Sequence, residues 1–463
     1  MGYPDCLRFC WGGPVKSTNL ISVAFGVLAF VGSATLSFAT ELEKEVEGEV
    51  PSLLEIFKHL HANPELSYQE GETAEYVAAA LRRLGFEVTE GVGDYGVEGR
   101  ISYGVVGVMK NGAGPTVMVR TDLDGLPIEE NSGLAYTSVA KGLSEDGDEV
   151  FAMHACGHDL HMTAWLGTAR MLSQKKELWS GTLVFVGQPA EERGAGAEAM
   201  LNDGLFERFP KPDYALAWHS NATLPAGDVG LVSGYALAAV DSVDIVVQGK
   251  GGHGAWPHTT KDPVTLAAQI IVNLQTIVSR QVSPFDPAVV TVGSIHGGTK
   301  HNIIPDQVKL QLTVRSYRPE VRKRLLASIR EIAQNTARAQ GWPDELLPIV
   351  EIHEEEGTPA TFNDPELIER ATKVFRAELG EERVHSVEPV MGGEDFSYFG
   401  IEGEIPIAVF WLGAIEPAVV EAAAAEGRIL PSLHSSGFRA YPEPAIRTGV
   451  TGMTALVLDL ISP

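Results

Sequence analysis

The sequence is poor in cysteine and in positive charge. Its 463 residues include three cysteines, Cys6, Cys10 and Cys156, and 35 Lys and Arg against 61 Asp and Glu. The formal net charge of −26 argues against a nucleic-acid partner, because phosphate binding needs clustered Lys and Arg. With 44% apolar and 21% charged residues the chain is not of the disordered class. Its length predicts two domains, one of them inserted in the other.

One long apolar run lies near the N-terminus. Residues 20–38 follow Arg8 and Lys16, and a small-x-small sequence ends at Ala39. This pattern predicts an exported protein with a signal peptide, residues 1–39, cleaved after Ala39. The alternative is an uncleaved anchor, since the run is nearly long enough to span a bilayer. After cleavage Cys156 would be the one remaining cysteine, so no internal disulfide could form, and no stable membrane anchoring is expected.

Strand and helix patterns alternate along most of the chain, which predicts an α/β layer with ligands at strand ends. From residue 239 the order becomes strand–helix–strand–strand–helix–strand, which is ferredoxin-like. We therefore predict a larger domain made of residues 40–238 and 359–463. Residues 239–358 form a smaller domain inserted into it.

Five segments place metal-ligand side chains in loops or at strand ends. They carry Asp122 and Asp124; Cys156, His158, Asp159 and His161; Glu191 and Glu192; His219; and His434. Each segment alone has an ordinary explanation: a buried thiol beside helix-start histidines, a solvated acidic pair, or a structural histidine. Together they form the mixed sulfur, nitrogen and oxygen set expected for zinc or a similar divalent ion.

The adjacent carboxylates of Glu191 and Glu192 follow a buried strand and a proline. Neighbouring side chains in an extended or turning segment point in different directions. One carboxylate can therefore bind metal while the other faces the substrate as general base. Asp122 and Asp124 are two residues apart in a strand-like segment, so both can point towards one centre.

The order of these motifs, RTDLDGLP, MHACGHD, QPAEE, WH and LHSSGF, resembles the co-catalytic metallopeptidase family of aminoacylases. More closely, it resembles the branch of hippurate hydrolases, indole-acetyl-amino-acid hydrolases and bacterial N-acyl-amino-acid amidohydrolases. This resemblance covers nearly all of residues 53–460. The resemblance implies an α/β catalytic domain with a central mixed sheet, plus an inserted ferredoxin-like lid (βαββαβ) that also dimerises.

The resemblance also implies roles for particular residues. Two divalent metal ions (Zn, Mn, Co or Ni) would be held by ligands from four of the motifs: Cys156, His158, Glu192, His219 and His434. Glu191 would be the general base, and Asp124 would orient a ligand. Asp122 stands where relatives outside the branch have a ligand histidine, and we assign it a supporting role. For Asp159 and His161 packing and function remain equally open.

Three residues of the inserted domain, and one glycine loop, would complete the site. By resemblance, His253 would stabilise the oxyanion, reaching the site of a partner subunit in a homodimer. Asn302 and Arg315 would bind the substrate carboxylate, and the backbone of Gly392 or Gly393 would contact substrate. A guanidinium and an amide suit carboxylate recognition, and a preorganised oxyanion donor can contribute about 3 kcal/mol.

These features predict a metal-dependent hydrolase that cleaves the amide bond of small N-acyl amino acids. A dipeptidase or carboxypeptidase of the same family differs only in the acyl side of its substrate. A non-catalytic exported protein that binds small molecules is the remaining alternative. The presence of both Glu191 and Glu192 favours the enzyme.

Overall fold

The computed structural model describes residues 28–462, with side chains left undescribed at 28–40, 354–356 and 401–402. Most of the predicted signal peptide, residues 1–39, lies outside the described residues, so export and cleavage stay predictions. The described residues form two larger sheets, of eight and four strands, and three two-stranded sheets. The α/β class and the large mixed sheet are confirmed.

Among the described residues, nine strands precede the inserted segment and three follow it. The first nine are β1 (Glu87–Val92), β2 (Gly104–Asn111), β3 (Thr116–Asp122), β4 (Lys141–Leu143), β5 (Glu149–Phe151), β6 (Gly181–Gln188), β7 (Tyr214–Pro225), β8 (Val229–Leu231) and β9 (Gly234–Leu237). The inserted strands are β10 (Ala239–Gln248), β11 (Gly252–His253), β12 (Ala288–His296), β13 (Ile303–Ile304), β14 (Gln307–Ser316) and β15 (Ile349–Thr358). The last are β16 (Thr361–Asn363), β17 (Val384–Ser386) and β18 (Ile407–Ile415).

Helices cover both sheets. They are α1 (Leu28–Ala62), α2 (Gly71–Arg83), α3 (His158–Gln174), α4 (Gly196–Asn202), α5 (Leu205–Arg208), α6 (Pro263–Thr276), α7 (Pro319–Ala339), α8 (Pro365–Leu379), α9 (Pro417–Glu426) and α10 (Pro442–Ile461). A π-helical turn, Ile277–Gln281, continues α6.

The large sheet has the strand order β1-β2-β6-β3-β7-β18-β8-β17. Its centre, β6, β3, β7 and β18, is parallel, and β2 pairs antiparallel with β6. All nine residues of β18 are buried, as expected for a strand covered on both faces. Helices α1, α3, α8 and α10 pack together on one face. The carboxyl ends of the parallel strands therefore meet at one edge.

The second sheet has the order β12-β14-β10-β15, and every neighbouring pair is antiparallel. Along the chain its elements run β10, α6, β12, β14, α7, β15, which is the ferredoxin-like arrangement. Its hydrophobic residues form their own cluster with α6 and α7. Val240 of β10 pairs with Thr358 of β15. The two segments that connect this sheet to the larger sheet therefore start next to each other.

The acidic segment 41–49 belongs to α1. Leu42 and Val46, one helical turn apart, are buried in the core, while Glu45 and Glu49 pair with Lys175 and Arg170 of the neighbouring α3 region. The helix extends through this segment because its apolar residues face the core and its acidic residues form ion pairs with the α3 region.

Within the described residues, α10 alone has the length and apolar composition that could cross a membrane. In this structure 83% of its apolar window is buried against protein, and α10 packs on α3, α1 and α8. Core helices of this kind satisfy the same criteria.

Candidate metal centre

The five motif segments meet at the carboxyl edge of the large sheet. Asp122 ends β3, Glu191 follows β6, and His219 lies within β7. Cys156 and His158 lie at the start of α3, where Gly157 adopts a left-handed conformation (φ 83°) that turns the chain between them. His434 comes from a loop near the C-terminus, and its backbone nitrogen donates to the carbonyl of Ala155, 2.9 Å away.

Both oxygens of Asp122 accept hydrogen bonds from neighbouring side chains. Its Oδ1 accepts from Nδ1 of His161 at 2.8 Å, and its Oδ2 accepts from the guanidinium of Arg120 at 2.8 Å. Nε2 of His161 accepts from the backbone nitrogen of Ser220 at 2.7 Å. Both nitrogens of His161 are therefore engaged, since Nδ1 donates to Asp122 and Nε2 accepts from Ser220. These contacts favour a supporting role for Asp122 and His161, and the ligand atoms of both also lie within 4.8 Å of that of His158.

Asp124 holds the turn that carries Glu191 and Glu192, and it also orients the ring of His158. Its two oxygens accept from the amides of Glu191 and Glu192, at 3.2 and 3.1 Å, and Oδ2 also accepts from the Ser67 hydroxyl. Its backbone carbonyl accepts from Nδ1 of His158 at 2.8 Å. That hydrogen bond leaves Nε2 of His158 as the atom that points into the site.

Nε2 of His158 is buried, and it has no hydrogen-bond partner among the described residues. It lies 3.6 Å from Oε2 of Glu191 and 3.8 Å from Oε1 of Glu192. Oε1 of Glu192 is likewise buried without a partner. Burial alone would lower the pKa of His158, but Asp122 and the other carboxylates raise it to about 10.

Cys156, His219 and His434 complete the cluster. The sulfur of Cys156 lies 3.6 Å from Nε2 of His219, whose Nδ1 donates to the carbonyl of Ser220. Burial lowers the pKa of His219 to about 3, so this ring is neutral and its Nε2 carries a lone pair. Nε2 of His434 lies 3.5 Å from Glu192, and the ligand atoms of Cys156, Glu192 and His434 all lie within 4.8 Å of one another.

The donor set fits divalent cations. Burial, followed by repulsion between neighbouring carboxylates, raises the pKa of Glu191 well above its usual value. Burial raises the pKa of Glu192 to about 8 and that of the Cys156 thiol above its ordinary range. Cations reverse such shifts, because they stabilise the thiolate and the carboxylates. Unpartnered nitrogen and oxygen atoms beside a thiol are the ligands that zinc and related metals accept.

A buried charge network lies behind the cluster and was not assigned from sequence. Arg120, with a fully buried side chain, contacts Glu394 at 2.9 Å, Asp395 at 3.2 Å and Oε1 of Gln188 at 2.9 Å. Carboxylate oxygens of Glu191, Glu394 and Asp395 lie within 4.8 Å of one another. The glycine loop, residues 391–396, contains the Gly392 and Gly393 that were predicted to contact substrate. Nothing in the sequence indicated that its acidic residues would meet Arg120.

The inserted segment places one side chain against the glycine loop, residues 391–396. The Arg315 guanidinium donates to the carbonyl of Met391, 3.4 Å away, and lies beside Gly393 in the glycine loop. His253 and Asn302 lie on or next to the short strand pair β11–β13, and both are exposed. Within the described part of this chain, neither makes a hydrogen bond or ion pair with the metal cluster.

Asp159 belongs to a second buried group beneath the cluster. Nδ1 of His61 contacts Asp159 at 2.6 Å, and Nε2 of His61 contacts Glu130 at 3.0 Å. The imidazole thereby ties α1 to the start of α3, directly after His158. The structure gives Asp159 this ion pair in place of a contact with the metal ligands.

Comparisons with known proteins identify the family. The model described as peptidase family M20/M25/M40 matches residues 118–428. The chain is 35% identical over 426 residues to thermostable carboxypeptidase 2 of Saccharolobus solfataricus, covering 91% of this chain and 99% of the relative. It is 37% identical over 345 residues to hippurate hydrolase of Campylobacter jejuni, covering 73% and 82%. N-acetyl-L-cysteine deacetylase of Bacillus subtilis is 36% identical over 349 residues, covering 75% and 77%.

A solved structure agrees with these sequence matches. The dinuclear metal-binding peptidase of family M20 from Bacillus subtilis superposes with a TM-score of 0.70 at 28% identity, covering 89% of this chain and 99% of that chain. The chain belongs to peptidase family M20/M25/M40. It is a metal-dependent amidohydrolase with two divalent metal ions, and its substrate is a small molecule.

We expect the His61 group to give the protein a pH-dependent stability. Burial lowers the pKa of His61, but Asp159 and Glu130 outweigh it and raise the pKa to about 10, from 6.5 in the unfolded chain. A raised pKa stabilises the fold fully below about pH 6.5, and the contribution is lost as pH rises through about 10. The lowered pKa values of Asp159 and Glu130 add stability that is lost in acid.

His61→Asn should therefore cost about 3–5 kcal/mol in the free energy of unfolding near pH 6, since it leaves two buried carboxylates unpaired. The cost should shrink towards pH 10, as measured by denaturant unfolding at both pH values. His59→Asn, at an exposed position on the same helix, serves as the control. An equal cost at both pH values would show that His61 is not charged in the fold.

Proposed function

We propose that the protein hydrolyses the amide bond of N-acyl amino acids and releases the acyl group and the amino acid. The observation that carries this proposal is the half-buried guanidinium of Arg315 beside the glycine loop. Among the described residues it donates to neutral oxygens of Thr313 and Met391, and no carboxylate lies within 4.0 Å of it. An arginine placed in this way suits a substrate that carries a free carboxylate.

The cluster supplies the rest of the chemistry. Bound divalent cations, held by Cys156, His158, Glu192, His219 and His434, would polarise a carbonyl and acidify water. Glu191 takes the proton from the attacking water and returns it to the nitrogen as the C–N bond breaks. Asp124 holds the amides of both glutamates and so fixes the separation between base and ligand.

Two further parts of the proposal concern the lid and the location. His253 is exposed and stacks near Trp256, which is itself 60% exposed. This position suits a residue that completes the site of a partner subunit in a homodimer, where it stabilises the oxyanion. We also propose that the protein is exported, on the pattern of residues 1–39 alone.

The proposed substrate class can be tested with protein loaded with metal. We expect hydrolysis of N-acetyl or N-benzoyl amino acids with higher kcat/KM than of dipeptides with the same C-terminal residue. Faster turnover of dipeptides would favour the peptidase alternative, which the carboxypeptidase relative keeps open. Absence of turnover on both, with two metals bound, would favour a binding protein.

Glu191→Gln is the matched control for that panel. It should lower kcat by about 10²–10⁴-fold, because the proton acceptor is lost, while two metals per chain remain bound. Glu192→Gln should instead lose metal, measured by elemental analysis after dialysis. The reverse result would show that the roles of the two glutamates are exchanged.

Arg315→Gln should lower kcat/KM for N-acyl amino acids by about ten- to a hundredfold, since a charged hydrogen bond to the substrate is removed. The corresponding amino-acid amides should be hydrolysed poorly and equally by both proteins. Arg318→Gln, an exposed arginine two residues beyond β14 that pairs with Asp286, is the control. A similar loss on the amides would contradict carboxylate recognition by Arg315.

The partner role of His253 can be tested by mixing two inactive variants. Chains carrying Glu191→Gln are mixed with chains carrying His253→Ala and allowed to exchange subunits. If His253 acts on the partner's site, each mixed dimer regains one intact site, and activity should return to about a quarter of wild type. Activity that stays at the level of the unmixed variants would place His253 in its own chain's site.

A further inference from the structure

The turn that carries Glu191 and Glu192 is held in an unusual way. Ala190 adopts the left-handed conformation, with φ 48°, which costs free energy for a residue with a Cβ. Three successive amides of this turn donate to buried carboxyl groups. Glu191 and Glu192 donate to Asp124, and Ala190 donates to Oε1 of Glu70 at 2.7 Å.

Glu70 lies just before α2, where a carboxylate would ordinarily cap the helix. It makes no such cap, because the first-turn amides of Glu72 and Thr73 donate to Glu65 instead. Glu70 is fully buried, and its Oε2 has no partner among the described residues. Burying this carboxyl is costly, and its hydrogen bond reaches a turn 120 residues away.

We propose that Glu70 is a positioning residue that holds Ala190 in the left-handed conformation. It thereby places the Glu191 carboxyl beside Glu394 and Asp395, and the Glu192 carboxyl beside Cys156 and His434. The inference rests on the proposed roles of those two glutamates. Without the hydrogen bond, the strained peptide can relax, and the base and the metal ligand move together. Burial raises the pKa of Glu70 to about 8.

The test compares Glu70→Ala, which removes the acceptor, with Glu70→Gln, which keeps an oxygen of the same reach. Metal affinity is measured by titrating metal-free protein with Co²⁺ and following its visible absorption, which needs no substrate. We expect Glu70→Ala to bind Co²⁺ about ten- to a hundredfold more weakly, as is typical when a residue that orients a ligand is lost. Glu70→Gln should bind within about threefold of wild type.

Kinetics then separate positioning from general stability. Glu70→Ala at saturating metal should lose kcat by at least tenfold with little change in KM, and Glu70→Gln should recover most of it. Glu65→Ala is the matched control, because it removes a neighbouring carboxylate that also accepts backbone amides but lies outside the site. It should lower the melting temperature without changing Co²⁺ affinity.

Unchanged Co²⁺ affinity and kcat in folded Glu70→Ala would overturn the proposal, and so would equal losses in Glu70→Ala and Glu70→Gln. An equal loss of Co²⁺ affinity in Glu65→Ala would also overturn it. Failure of the proposed function is seen separately, as a wild-type protein that binds Co²⁺ but hydrolyses no N-acyl amino acid.

Discussion

The structure depends on the neutralisation of carboxylates that are buried together at one edge of the sheet. Asp122, Glu394 and Asp395 are all less than 2% exposed, and the guanidinium of Arg120 lies among them. Removing one partner from such a group leaves an uncompensated charge and costs several kcal/mol. Arg120 and Asp122 belong to β3, whereas Glu394 and Asp395 belong to residues 391–396. This ion network therefore joins segments that are far apart in the sequence.

A chain of hydrogen bonds connects Arg120 to the predicted metal ligands. Asp122 fixes His161, and His161 accepts from the backbone of Ser220, next to His219. His219 in turn donates to the carbonyl of the same serine, which leaves its Nε2 facing Cys156. The tautomer of each ring is therefore set by a hydrogen bond on the side away from the cluster. The direction in which each ring nitrogen points is therefore fixed by the protein's own hydrogen bonds, without a bound ion.

Secondary structure and short motifs can be predicted from the sequence, because each depends on residues that are close in the chain. The α/β class, the mixed sheet and the family are confirmed, and each predicted ligand lies at the carboxyl edge. The contacts of Glu70, His61 and Glu394 could not be predicted in the same way. Arg120 and Glu394 are 274 residues apart, and a lone buried acid carries no signal of its partner until the topology is known. Asp124 was predictable as a supporting residue, but the two amides it holds were not.

The residues proposed for substrate recognition and for chemistry meet at the glycine loop, although they come from different sheets. Arg315 lies on β14 of the inserted sheet and donates to Met391, while Glu394 and Asp395, three and four residues further on, bind Arg120 behind the cluster. The same loop accepts from Ala238 through the carbonyl of Gly392, at the connection between the two sheets. A shift of the inserted segment would therefore move Arg315 and pull on the network around Glu191 together. If Arg315 binds the substrate carboxylate and Glu191 is the base, as proposed, both functions require the same relative position of the two sheets.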